Sequence, residues 1–293
     1  MKKVLVIVGP TASGKSALGI RLAKKFKGEV ISADSRQVYK GLNVGTGKVT
    51  KKEMRGIPHH LLDVADPKKQ FSVSEYQKLA QAVLEDIQGR GKTVVIVGGT
   101  GFYIDALCNG FMLPEVPPNK KLRKELEKLS AETLYTQLKK KDPDRAKNID
   151  WHNKVRVIRA LEIVAALGKV PSLDTKKARK DYIYIGLHPT DLEKRIYKRL
   201  IERVPGIIHE ARKLSLKRAH ELGLEYRFAS LYLQKKLSRK EFIEALNTAI
   251  RQYARRQMMW FKRNSKIRWF SSASDAYAAT LLEMGGETRR QSR

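Results

Sequence analysis

The hydrophobic positions of this chain follow two rhythms. Val4-Leu5-Val6-Ile7-Val8 and Thr93-Val94-Val95-Ile96-Val97 are short runs without a charged residue. Such runs, rich in β-branched side chains, predict strands covered on both faces, as in a parallel sheet. Glu29 to Ser32 and Tyr182 to Leu187 predict further strands, and Lys266 to Phe270 a short last one. Between them the apolar spacing changes to that of a helix. Leu18, Leu22 and Phe26 share one face of a helix over 14–26, as a helix lying on a sheet requires. Ser72 to Ile87 reads as a second, with Ser72 or Ser74 as its cap. Asp191 to Val204 predicts a basic helix with Arg195, Arg199 and Arg203 on one face, and Phe242, Leu246, Ala249, Ile250 and Tyr253 form the core-facing stripe of a long last helix. Strands alternating with helices predict an α/β fold, a parallel sheet flanked by helices.

The alternation is interrupted once. Pro114, Pro117 and Pro118 mark a boundary, and the charged stretch from 119 to 170 is helical without β-branched runs. The expected organisation is a core of 1–113 and 180–275, a helical insertion at 114–179, and a disordered polar tail at 276–293. Lys40 to Asp66 reads as long loops, in which His59 and His60 are packing or hydrogen-bonding residues.

Charge narrows the partners. The 293 residues carry a formal net charge of +30. That exceeds what solubility needs and points to a polyanion, with nucleic acid first. The single cysteine, Cys108, excludes an intrachain disulfide and fits a reducing cytoplasm. No apolar run is long enough to span a bilayer, and the first strand starts too early to leave room for a targeting peptide.

The chemistry begins where the first strand meets the first helix. Gly9-Pro10-Thr11-Ala12-Ser13-Gly14-Lys15-Ser16 has the composition and flanks of a P-loop. Its amides and the helix N-terminus attract an anion, Lys15 adds a point charge, and the Ser16 hydroxyl is placed to hold magnesium on phosphate oxygens. Asp34 follows the second strand, and Gly98-Gly99-Thr100-Gly101 follows the 93–97 strand. Ligands of open α/β sheets bind at such strand ends, although Asp34 could equally cap a helix. Two reactions fit: phosphoryl transfer by a small-molecule or nucleotide kinase, or displacement of a diphosphate leaving group held by the P-loop. The basic surface favours the second, and a strand ending in glycine instead of an acid argues against an ATP hydrolase.

Beyond the P-loop, the segments Ser32 to Gly41, Gly45-Thr46-Gly47-Lys48, Ile57 to Asp63, Val97 to Tyr103, Arg159 to Ile163 and Tyr253 to Phe261 occur in an order that resembles the tRNA dimethylallyltransferase (tRNA isopentenyltransferase) family. The resemblance spans nearly the whole chain. It implies a P-loop NTPase-like core and transfer of a dimethylallyl group from dimethylallyl diphosphate to N6 of the adenosine immediately 3′ of the anticodon. It implies Mg2+ as cofactor, held with Ser16. It makes Asp34 the general base, Thr100 a residue near the reacting base, and Arg199 the diphosphate arginine, with Lys198 as the alternative given the spacing to Gly206. It assigns Asp34, Ser35, Arg36, Gln37, Thr100, Arg123, Arg156, Arg159 and Arg227 to the tRNA anticodon arm. A cytoplasmic monomer without membrane attachment is expected. The chain departs from the family at Leu224-Glu225-Tyr226, where Ile-Gly-Tyr is usual.

Overall fold

The computed structural model describes residues 3–111, 113–172 and 182–285. In chain order the elements are β1 (Val4–Val8), α1 (Lys15–Lys25), β2 (Gly28–Ser32), α2 (Lys51–Met54), β3 (His59–His60), α3 (Val73–Gly89), β4 (Thr93–Gly98) and α4 (Gly101–Cys108). Then come α5 (Lys120–Leu126), α6 (Ala131–Lys141), α7 (Pro143–Lys147), α8 (Lys154–Leu167), β5 (Tyr182–Leu187), α9 (Leu192–Ala211), α10 (Leu216–Leu222), α11 (Leu224–Leu233), α12 (Arg239–Phe261), β6 (Arg268–Phe270) and α13 (Ala273–Gly285). They fall into two compact units, Met1–Asn109 with Ala178–Arg293, and Gly110–Lys177.

The first unit holds a six-stranded sheet in the order β3-β2-β4-β1-β5-β6. Every pairing is parallel. The pleat sends alternate side chains of β1 to opposite faces. Leu5 and Ile7 bury against Leu18, Leu22 and Ala23 of α1 and Ala276 of α13. Val4, Val6 and Val8 enter a larger core with Tyr76 and Leu84 of α3, Leu200 and Val204 of α9, and Phe242 and Leu246 of α12. With both faces covered, β1 needs apolar residues at every position, which explains its unbroken run.

Helix starts follow local chemistry. Ser72 and Glu75 form a reciprocal capping box at α3, as do Ser238 and Glu241 at α12. Two glycines are required by close approach. A Cβ on Gly98 would lie 2.1 Å from the Ala33 carbonyl oxygen, and one on Gly101 2.1 Å from the Trp260 indole. The first lets the ends of β2 and β4 meet. The second seats α12 on α4.

The second unit packs α5 to α8 around Leu134, Leu138, Val157 and Leu161. Its buried carboxylate Glu162 accepts from the Asn119 amide at 2.9 Å and from Arg123 at 2.7 and 2.8 Å, with Arg159 at 3.3 Å.

Four expectations change. The tail expected from 276 is helical to residue 285, because Ala276 and Thr280 are buried and Arg21 of α1 stacks 4.3 Å over the Tyr277 ring. The remainder of that tail, and the 173–181 junction, lie outside the described residues. The 40–66 loops contain α2 and the edge strand β3, which His60 secures through Glu29 of β2 at 2.8 Å. Helix α9 continues through Pro205 to Ala211, and α12 is followed by α13.

Candidate active site

Strands β2, β4 and β1 are adjacent and parallel, so their carboxyl ends open onto one place. The P-loop leaves β1 there. Gly9, Ala12 and Gly14 all have positive φ, at 148°, 62° and 92°, which curls the backbone so that successive amides can converge on an anion. The Ser13 hydroxyl is buried and has no hydrogen-bond partner. Such an orphaned donor is expected where an anion's oxygen belongs. Lys15 donates to the Pro10 carbonyl at 3.0 Å. Burial pushes the Lys15 ammonium down to about 8, Asp34 opposes the shift and Arg199 adds to it. The Ser16 hydroxyl is exposed at the start of α1.

Asp34 begins a turn; no helix follows directly, so it caps the turn and not a helix. Its Oδ1 accepts from the amides of Arg36 at 2.9 Å and Gln37 at 3.3 Å. Its Oδ2 has no partner among the described residues and is available to a proton. The Thr100 hydroxyl accepts from the Ser35 amide at 3.0 Å and lies 3.3 Å from the Ser35 hydroxyl. Tyr253 of α12 lies beside Thr100, and burial raises the Tyr253 phenol well above its ordinary range. Arg199 donates to the Gly47 carbonyl at 3.1 Å. Its charge acts on Lys15 of the P-loop. The site therefore brings Gly9 to Ser16, Asp34 to Gln37, Thr100 and Arg199 together in one unit.

The remaining arginines are placed differently. Arg123 and Arg159 lie in the second unit and neutralise Glu162; Arg159 also donates to the Val116 carbonyl at 2.8 Å. Their first role is to hold that unit together. Arg156 is exposed beside them in sequence. In the first unit Arg227 is exposed and lies 4.8 Å over the Phe228 ring, and Arg36 is exposed.

Two residues escaped the sequence reading. Gln257 is 6 % exposed, in the core register of α12. Its Oε1 accepts from the Thr11 amide at 2.9 Å and its Nε2 donates to the Gly99 carbonyl at 2.8 Å, tying the P-loop to the glycine turn. Glu210 of α9, also buried, accepts from the amides of Asn43, Val44 and Gly45 at 2.8, 2.7 and 2.8 Å. A polar residue in a buried register was the available signal in both cases.

A family model described as IPP transferase matches residues 37–264. The chain is 41% identical over 287 residues to the tRNA dimethylallyltransferase of Anoxybacillus flavithermus, covering 94% of this chain and 92% of that protein. It is 40% identical over 299 residues to that of Geobacillus thermodenitrificans, covering 96% and 94%. Among solved structures it resembles the full-length tRNA isopentenylpyrophosphate transferase of Bacillus halodurans, at 33% identity and a TM-score of 0.72 over 100% of both chains. It also resembles a eukaryotic dimethylallyltransferase described as acting on tRNA, at 32% identity and a TM-score of 0.76, covering 89% of this chain and 70% of that one.

Proposed function

The chain belongs to the IPP transferase family, the tRNA dimethylallyltransferases, and from that premise we propose how its residues carry out the transfer. It is a transferase with a P-loop NTPase-like core that prenylates tRNA; the kinase reading is not favoured. We propose dimethylallyl diphosphate as the donor and N6 of the adenosine immediately 3′ of the anticodon as the acceptor. The N6 lone pair attacks the allylic carbon, the C–O bond to diphosphate breaks, and the bonding pair leaves on oxygen. The N6 proton goes to Asp34 Oδ2. An exocyclic adenine amine is a weak nucleophile, so removing its proton as the bond forms is worth roughly 10²–10⁴-fold.

The leaving oxygen gains charge in the transition state. The P-loop amides, the Ser13 hydroxyl, Lys15 and Arg199 are donors already in place to meet it. A hydroxyl beside a phosphate cradle suits magnesium, which prefers oxygen ligands and few protein groups. Ser16 would hold that ion with diphosphate oxygens, and the ion would neutralise part of the leaving charge. Thr100 and Gln37 would face the extruded base. Ser35, Arg36 and Arg227 would contact the anticodon arm, together with Arg123, Arg156 and Arg159 of the second unit. Among the described residues no helix is long and apolar enough to cross a membrane; we place the enzyme in the cytoplasm, as a monomer.

The observation that supports this reading best is Asp34: one oxygen fixed by two amides, the other open, on the strand beside the P-loop strand's neighbour. The test is incubation with labelled dimethylallyl diphosphate and total tRNA, followed by nucleoside analysis. Label is expected on N6-prenylated adenosine, dependent on magnesium. Label absent from nucleosides, with phosphate passing from ATP to a small acceptor, would overturn it.

A further inference from the structure

The segment Gly45-Thr46-Gly47-Lys48 joins the two halves of the site. The Gly47 carbonyl accepts from Arg199 at 3.1 Å and from the Gln37 side chain at 3.4 Å. The Arg199 charge acts on Lys15 of the P-loop. Gln37 is held to Asp34 through its own amide. A single carbonyl oxygen thus serves the group beside the leaving diphosphate and the group beside the general base.

A loop with two glycines does not hold such a point by itself. Here it is clamped from α9. Glu210 gathers the three consecutive amides of Asn43, Val44 and Gly45 within 2.8 Å, and Tyr226 of α11 donates to its Oε2 at 2.8 Å. Charge-assisted bonds of this kind are short and stiff. Arg203 donates to the carbonyls of Val44 and Gly45 and pairs with Glu225 at 3.4 Å. The glycines fit the clamp. A Cβ on Gly45 would lie 2.5 Å from the Tyr226 ring, and one on Gly47, where φ is +61°, 3.0 Å from Arg199 Nη2.

We propose that Glu210 is a positioning residue for the transfer: by gripping the 43–45 amides it fixes the Gly47 carbonyl, and through it the aim of Arg199. The proposal rests on Arg199 acting on the diphosphate. Displacing an oriented group by about 1 Å can cost on the order of 10²-fold in rate, so a clamp outside the reacting shell can have a large effect.

The experiment is a double-mutant cycle on the full chain with Arg199→Ala, Glu210→Gln and the double variant. It measures prenyl transfer and the affinity for inorganic pyrophosphate. Glu210→Gln keeps size and two acceptor bonds but turns a donor toward the Gly45 amide. It is expected to lower kcat about 10–100-fold and to weaken pyrophosphate binding. In the Arg199→Ala background the same substitution should change both by no more than about twofold, because the residue it acts through is gone. Independent sites add, so full additivity of the two losses would overturn the proposal and mark Glu210 as purely structural. If Glu210→Gln does not fold, Gly47→Ala replaces it in the cycle with the same expectation. If Arg199→Ala alone leaves kcat and pyrophosphate affinity at wild-type levels, the diphosphate role of Arg199 is what fails.

Discussion

Lys15 is a side chain held in its charged form against the preference of its surroundings, and replacing it with methionine should stabilise the protein while disabling it. The folded ammonium sits at about 8 against an ordinary value of 10.5. The group binds its proton less tightly when folded, so below pH 8 both states are charged and the folded state carries the full burial cost. Between pH 8 and 10.5 the folded state releases its proton first, and stability rises; above 10.5 the cost is gone. At about 1.36 kcal/mol per pH unit, the shift corresponds to roughly 3 kcal/mol as an upper limit. Lys15 is half-buried and opens onto a cradle that admits water, so about 1–2 kcal/mol is the expected gain at pH 7. For a chain of this size that raises Tm by roughly 2–6 °C. Thermal unfolding of Lys15→Met and wild type across pH 7–11, with and without inorganic pyrophosphate, measures it. The gap should close as pH passes 10.5. Pyrophosphate should raise the Tm of wild type more than that of the variant, and wild-type affinity should fall above pH 8. A variant less stable than wild type at pH 7, or a gap constant across the range, would refute burial as the dominant influence on Lys15.

Other outcomes follow from the same geometry. Asp34→Asn retains the Oδ1 acceptor for the Arg36 and Gln37 amides, so its Tm and its tRNA and pyrophosphate affinities should hold while kcat falls roughly 10²–10⁴-fold in single-turnover assays. Glu162→Ala leaves Arg123 and Arg159 without their carboxylate and should destabilise the Gly110–Lys177 unit by about 3–5 kcal/mol, seen as faster hydrogen exchange in α5 and α8. Affinity for tRNA should decline with salt at a log–log slope of roughly −0.7 to −0.9 per phosphate contact; a flat dependence would mean the net charge of +30 is not what binds.

How much of this was readable in the chain depended on whether a residue's role was local. The strands β1, β2, β4 and β5 were legible because burial on both faces selects short runs rich in β-branched and apolar side chains. The placement of the P-loop, Asp34 and Thr100 was legible because each follows a strand of the sheet, at its carboxyl end. Edge strand β3 was not, since His59 and His60 look like loop residues until Glu29 is found beside them. Helix α13 reads as tail in the sequence because only its packing on α1 gives its apolar positions a purpose. The pairing of Arg123 and Arg159 with Glu162 was hidden for a similar reason: basic residues on charged helices give no sign of the buried carboxylate they meet in the fold. Gln257 and Glu210 were the hardest, because their partners are backbone amides far away in the chain, and a backbone amide leaves no trace in the sequence.

The Gln257 contact also bears on how the enzyme comes into being. The Thr11 amide and its Gln257 partner are 246 positions apart, and β1 lies between β4 and β5. Synthesis runs from the N-terminus, so the first motif to leave the ribosome is among the last to be finished. Its central strand waits for residue 187 and its loop for residue 257. Contacts this distant in sequence make folding slow, and a nascent chain halted before α12 would carry the whole P-loop sequence without the cradle. The anion site is therefore finished only once α12 has been made: a fragment that retains residues 9–16 but lacks α12 is expected to bind the diphosphate more weakly than the full chain.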